Sequence, residues 1–251
     1  MNPHDLPVVG RPANAEKDYI GDFTDIGGKR VLCVGYSEIE VDELVLKYNP
    51  NSISMLTNWA DHNDAKVKKY PLVIGDITKR TEFADDTFDA ILTLSVLEHL
   101  PDLIGAVKEM TRIVKKGGEH LHFFGPAWSS SYGHHLYANP ENKLLNFTRW
   151  EMPAHIHLLC NKEEIKRYYL DAGYTEKDVL CVLEWFYETP MINRVFYDEY
   201  ARIFNQYFQI DKMQLMYNYL PIDHLKLLQA KFPASWDFAT YGGKYQLKVL
   251  K

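Results

Sequence analysis

Between residues 29 and 125 the apolar positions fall into two repeating patterns. The first is the short continuous run: "RVLCVG", "SISML", "YPLVIGD", "FDAILTLSVL" and "EHLHFF". Runs of this kind, bounded by turn residues, predict strands buried on both faces of a parallel sheet. The second pattern is helical. Val41, Leu44, Val45 and Tyr48 recur at i, i+3, i+4 and i+7, and Leu103, Val107, Met110 and Val114 form a second stripe behind Pro101, with Gly117 and Gly118 as its stop. Alternating strand and helix within about 100 residues predicts an open sheet with helices on both faces.

After Gly125 the texture changes. Residues 126–160 are rich in Pro, Ser, Asn, His and Trp. Asn161 followed by Glu164 predicts a capped helix carrying Ile165, Tyr168 and Ala172 inward and ending at Gly173. "DVLCVLEWFY" reads as a sixth strand. Ile192, Val195, Phe196, Ile203, Phe204 and Tyr207 mark a helical stretch over 191–231, and "YQLKVLK" reads as a closing edge strand. The expected architecture is an α/β, doubly wound, mostly parallel seven-stranded sheet with a helical cap inserted between the last two strands. Its parts are an N-terminal arm (1–28), a core (29–190 and 232–251) and a helical insertion (191–231) that serves as cap or homodimer surface. Ligands of such sheets bind beyond the carboxyl ends of the strands. Those ends read "GYSE", "TNW", "GD", "LSVLEH" and "FFGPAW".

The stretch "GDITKRTEFADDTFDAILTLSVLEHLPDLIGAVKEMTRIVKKGG" carries the specific signal. A strand ending in Gly-Asp, then "DDTFDAILTLSVLEHL", then a helix running into "RIVKKGG" resembles the class I S-adenosylmethionine-dependent methyltransferase domain, over about residues 29–125. The resemblance implies a Rossmann-like methyltransferase fold, S-adenosylmethionine as cofactor and S-adenosylhomocysteine as product. It implies that Asp76 accepts a hydrogen bond from the adenine amine, that Ile77 lies against the adenine face, and that Ser95 and Val96 present backbone near the methionine moiety. Glu98 reads better as a structural carboxylate than as a catalytic one.

The first half departs from the family. Around Gly35 the pattern lacks its other glycines: Cys33 stands where an acid is usual, and Tyr36, Ser37 and Ile39 follow. Glycines there let backbone approach a ligand. Tyr36 and Ser37 could still supply N–H groups. Thr57 or Asn58 replaces the acid that usually binds the ribose, a weaker neutral partner, with Glu38 or Glu40 as compensation. Trp59 is a candidate flank for the adenine, and Tyr19 of "KDYIGDF" a candidate contact from the arm.

The acceptor side is sought in "GPAWSSSYGHHLYANPENKLLNFTRWEMPAHIHLLC". His134, His135, His155 and His157 have no metal-ligand spacing, and no metal is expected. The loop resembles methyltransferases of bacterial surface-polysaccharide clusters, including those acting on capsular phosphoramidate groups. A sugar hydroxyl wants a general base, which histidine supplies near neutral pH; an anionic phosphate or phosphoramidate oxygen wants cationic or N–H donors. His134 and His135 are the candidate catalytic residues, with Trp128, Tyr132, Arg149 and His155 around the acceptor and His157 as packing. The expected reaction is methyl transfer to an oxygen of a small polar or nucleotide-linked acceptor. The alternatives are an N-methyltransferase, a non-catalytic scaffold, or a dinucleotide-binding redox enzyme. The absence of Gly-x-Gly-x-x-Gly disfavours the last.

Composition narrows this little. The 251 residues are 46% hydrophobic and 25% charged, with a net charge of -6 that disfavours nucleic-acid partners. Three widely spaced cysteines, Cys33, Cys160 and Cys181, suggest a reducing cytoplasm rather than a disulfide framework. The N-terminal residues have no leader-like apolar run, and no stretch is long and apolar enough to span a membrane.

Overall fold

Seven strands form one sheet in the order β3-β2-β1-β4-β5-β7-β6. The structure is a computed structural model and describes residues 1–15, 25–58 and 69–251. The strands are β1 (Arg30–Val34), β2 (Ser52–Thr57), β3 (Leu72–Ile74), β4 (Phe88–Leu94), β5 (Val114–Phe124), β6 (Phe208–Tyr217) and β7 (Thr240–Val249). β1 to β5 are parallel to their neighbours, and β7 runs antiparallel to β5. β1 lies between β2 and β4, so the strand order reverses there, which puts a switch point at the carboxyl ends of β1 and β4.

Local chemistry explains the elements. Helix α1 (Glu38–Tyr48) starts at a capping box: the Ser37 hydroxyl accepts from the Glu40 N–H, and the Glu40 carboxylate accepts from the Ser37 N–H. Helix α2 (Leu103–Ile113) starts at Asp102, which accepts from the Gly105 N–H, and it buries Leu103, Ala106, Val107, Met110 and Ile113. Val31, Cys33, Ile53, Met55, Ala90 and Leu92 from the central strands close over Val41 and Leu44 of α1 in one buried cluster.

The expected elements over 29–125 are found, with β5 beginning four residues earlier than Gly118 and including both glycines. Beyond residue 125 the chain corrects three expectations. After α3 (Ile156–Leu159) and α4 (Lys162–Asp171), the run "DVLCVLEWFY" is not a strand; it lies in helix α5 (Glu176–Tyr187). Thr175 and Asp178 form a capping box, and Val179, Val182 and Phe186 face inward at helical spacing while Leu180 is exposed. The sixth strand lies instead within 191–231. After α6 (Tyr197–Tyr207), β6 buries Phe208 and Met216 and exposes Gln209, Asp211 and Met213, a period of two on a polar edge strand. Helix α7 (Ile222–Lys231) is the helical segment between the last two strands, and β7 is an interior strand rather than the edge.

The chain divides into two compact units. One, the sheet unit, holds residues 16–124, 201–214 and 243–251; the other holds 1–15, 125–200 and 215–242. In the second unit the N-terminal residues are tied down by backbone bonds. Ala13 pairs with Tyr217, and the Ala154 N–H donates to the Pro7 carbonyl.

Candidate functional site

In the sheet unit, four turns leave the carboxyl ends of adjacent strands. Gly35 follows β1, Asn58 follows β2, Gly75 and Asp76 follow β3, and Ser95 follows β4. The Gly75 N–H donates to the Thr57 carbonyl at 2.8 Å, and the Ser95 N–H to the Phe123 carbonyl at 2.9 Å. Each turn therefore leaves its strand at a fixed point of the ladder.

Gly35 is required by two independent constraints. Its φ is +77°, a conformation that L side chains avoid, and a Cβ there would lie 2.2 Å from the Val96 side chain and 3.2 Å from the Leu94 carbonyl oxygen. The turn after β1 and the turn after β4 meet through a glycine that leaves no room for a side chain. The residues that follow Gly35 are held by the core and by the start of α1. The Tyr36 ring is buried in the cluster with Cys33, Val41 and Leu94. It therefore points down into the core, and only its backbone is positioned to meet a ligand. The Ser37 N–H is already used by Glu40 at 2.7 Å, so it is not the donor that the sequence suggested. Glu38 accepts from the Lys69 N–H at 3.2 Å. Ser95 is exposed in a left-handed conformation, φ +49°, next to half-buried Val96.

Asp76 closes a tight turn on Thr78, accepting from its N–H at 2.9 Å and its hydroxyl at 2.7 Å, with Lys79 at 3.4 Å. Partial burial raises its pKa, but the Thr78 bonds and Lys79 more than offset this, and the carboxyl is held below its ordinary value. It is an ionised acceptor at a strand end, with Ile77 buried beside it. Thr57 is half-buried and Asn58 exposed. Trp59 and Tyr19 lie outside the described residues.

The family model for a methyltransferase domain matches residues 30–122. The match runs from β1 into β5 and takes in the turns between these parallel strands. Over 93 residues the chain is 31% identical to the sterol 24-C-methyltransferase of Aspergillus fumigatus; the match covers 37% of this chain and 24% of that protein's length. A Listeria monocytogenes structure described as an S-adenosylmethionine-dependent methyltransferase superposes with a TM-score of 0.51 at 10% identity, covering 91% of this chain and 94% of the other. A Haloferax volcanii methyltransferase, in complex with a methyltransferase activator, gives 0.50 at 12% identity, covering 91% and 85%. At these identities the structures carry the fold. A methyltransferase domain on this fold implies S-adenosylmethionine as its cofactor. The glycine at the β1 turn leaves the approach that such a ligand needs, and the ionised Asp76 offers it an acceptor, so the residues present fit the group.

The second unit holds the histidines, and it sorts them. His134 is fully buried against Phe186 and His157, with ring centroids 4.6 and 5.2 Å away. Its Nδ1 accepts from the Leu136 N–H at 3.0 Å, so its lone pair is in use and its proton sits on Nε2. Burial and the neighbouring His157, His135 and His155 hold it well below the ordinary histidine range. That is a packed, neutral ring whose Nδ1 serves the fold. His135 is different. Its Nδ1 lies 2.9 Å from the Gly133 carbonyl, which can only accept, so Nδ1 carries a proton. His155 is bonded at both nitrogens, to His224 and to the Phe238 carbonyl, each at 3.0 Å. Both of its nitrogens are thus engaged within the second unit. His157 donates to the Trp128 carbonyl at 2.9 Å, as its packing role requires.

The other acceptor-side candidates are also engaged. Trp128 is buried, with the Arg194 guanidinium 5.1 Å over its ring. The Tyr132 hydroxyl donates to the Trp150 carbonyl at 3.0 Å, and burial pushes its pKa up to about 12. Arg149 is exposed and bonded to the Pro140 carbonyl and the Glu141 carboxylate. Sequence reasoning missed His224, the partner of His155, because the two lie 69 positions apart. Among the described residues, no helix is long and apolar enough to cross a membrane.

Proposed function

We propose that the chain transfers a methyl group from S-adenosylmethionine to an oxygen of a small polar acceptor. The cofactor supplies a methyl carbon already activated on a sulfonium, so the protein's task is alignment and exclusion of water. Gly35 and the Tyr36 backbone would receive the methionine end together with Ser95. Asp76 would accept from the adenine amine while Ile77 packs on its face, and Thr57 or Asn58 would take the ribose hydroxyls. The observation that carries this reading is the pairing of a side-chain-free turn at Gly35 with an ionised carboxylate at Asp76, inside a segment matched as a methyltransferase domain.

The acceptor class we favour is a sugar, or a phosphate or phosphoramidate group, of surface-polysaccharide synthesis, with a homodimer as the working assembly. The histidine-bearing loop "GPAWSSSYGHH" supports it. Of the two candidate histidines we favour His135, whose Nδ1 proton is held by the Gly133 carbonyl, to take a proton from a hydroxyl.

The test is a calorimetric titration with S-adenosylhomocysteine. Binding is expected, and Asp76→Ala is expected to weaken it about tenfold. No heat at millimolar ligand would sink the reading in favour of a non-catalytic scaffold. A screen of labelled-cofactor transfer to candidate acceptors then identifies the substrate. His135→Gln is expected to lower turnover about 100-fold with cofactor affinity kept, and turnover at the wild-type level removes His135 from the reaction.

A further inference from the structure

The loop that carries Asp76 and Ile77 runs from Gly75 to Thr87 without helix or strand. It lies in the sheet unit and is fastened to α2 at several points. The deepest is Thr81. Its N–H and its hydroxyl both donate to Glu109 Oε1, at 2.7 and 2.6 Å. Glu109 is only 6% exposed. Its other partner is Arg112, whose Nε donates to Oε2 at 2.8 Å and whose Nη2 donates to Oε1 at 2.6 Å. Arg112 then reaches forward to Asp85 at 2.6 Å. Nearer Asp76, a Cβ on Gly105 would lie 2.8 Å from the Thr78 carbonyl oxygen, so the first turn of α2 presses directly on the residue that Asp76 binds.

We infer that Glu109, held by Arg112, is a positioning residue for the cofactor: it fixes Thr81, and through it the loop that presents Asp76 and Ile77. The inference rests on the methyltransferase reading of Asp76. The physical argument is one of reach. A loop tied to its neighbours by backbone bonds at its two ends, Gly75 and Asp86–Thr87, relies on side-chain anchors in between to hold a carboxylate in register, and a buried carboxylate accepting four bonds is a rigid anchor for it. A ligand that needs Asp76 at one place then loses affinity when the anchor goes, because the loop must be ordered on binding. Neither Glu109 nor Thr81 needs to touch the ligand for this.

The experiment measures S-adenosylhomocysteine affinity by calorimetry for the full chain and for Thr81→Ala, Thr81→Ser, Glu109→Gln and Asp76→Ala, with thermal melting of each. Thr81→Ala and Glu109→Gln are expected to weaken binding about tenfold, the size of a lost hydrogen bond to a charged group. Thr81→Ser keeps the hydroxyl and is expected to restore it. Should Glu109→Gln fail to fold, the Thr81 pair alone decides. Wild-type affinity in Thr81→Ala, with Asp76→Ala weakened, overturns the inference and leaves the methyltransferase reading standing. A loss in Thr81→Ala that Thr81→Ser does not recover also overturns it, because packing rather than the bond to Glu109 would then set the affinity. Wild-type affinity in Asp76→Ala strikes the underlying reading instead.

Discussion

At the carboxyl ends of β1 to β4 the polar groups stand at or near the surface and keep their charge. Asp76 is held ionised by Thr78 and Lys79, and Ser95 is exposed. In the second unit the polar groups are drawn inside and kept neutral. His134 and His155 are fully buried, His157 nearly so, and burial pushes all three below the ordinary histidine range. The first arrangement suits a ligand that arrives with donors of its own. The second suits a scaffold whose rings satisfy backbone groups, as His134, His135 and His157 do. A dense run of histidines can therefore serve packing as readily as chemistry.

Gly35 offers the sharpest break of this comparison. Gly35→Ala places a Cβ against Val96 and forces a non-glycine residue to φ +77°. Strain of this kind costs about 1–3 kcal/mol before any clash is counted. We expect S-adenosylhomocysteine affinity to fall at least about 100-fold, with a lower melting temperature. Calorimetry checks the first and thermal unfolding the second. Wild-type affinity in Gly35→Ala would show that the β1 turn is not where the ligand approaches.

The buried histidines make an intermediate prediction. Their folded pKa lies below the unfolded value of about 6.5, about 4 for His157 and about 3 for His122 of the sheet unit. As pH falls below 6.5, the unfolded chain takes up protons that the fold does not. Stability is therefore full above 6.5 and is lost progressively down to the folded values, with a slope of up to about 1.4 kcal/mol per pH unit for each such ring. The paired carboxylates, Asp76 and Glu109, respond at lower pH, because their folded pKa values are depressed below the ordinary carboxylate range. Urea unfolding between pH 7 and 5 should show the loss, and His157→Gln, which can still donate to the Trp128 carbonyl, should reduce the slope by about one ring's share. An unchanged slope would mean that His157 is not held neutral by burial.

How much of this was legible in the sequence depends on distance along the chain. The central strands announce themselves because each is a short apolar run between turn residues. Helix α5 does not, because "DVLCVLEWFY" is apolar enough to serve either period, and only the Thr175–Asp178 box distinguishes them. β6 is hidden because an edge strand exposes one face and half its length is polar. The capping box at Ser37 and Glu40 is legible as Ser-x-x-Glu, immediately after a turn that lacks the usual glycines. The Thr81–Glu109 anchor and the His155–His224 pair span 28 and 69 positions, and no local pattern marks either.

Thr57 tests the weakest point of the cofactor end. It closes β2 in register with Ile74, two residues before Asp76, at the place where related domains put an acid. A hydroxyl accepts from a ribose hydroxyl as a neutral partner, worth about 0.5–1.5 kcal/mol, against about 1.5–3 for a carboxylate. Thr57→Asp should therefore tighten S-adenosylhomocysteine binding, but by less than that difference, because the new charge sits near Asp76 and the two repel. A gain of about fivefold is expected, larger at high salt, where the repulsion between partly exposed groups is screened. Affinity that falls in Thr57→Asp, or stays at the wild-type value at every salt concentration, would mean that the end of β2 does not meet the ribose. It would leave Gly35 and Asp76 as the contacts on which the cofactor reading stands.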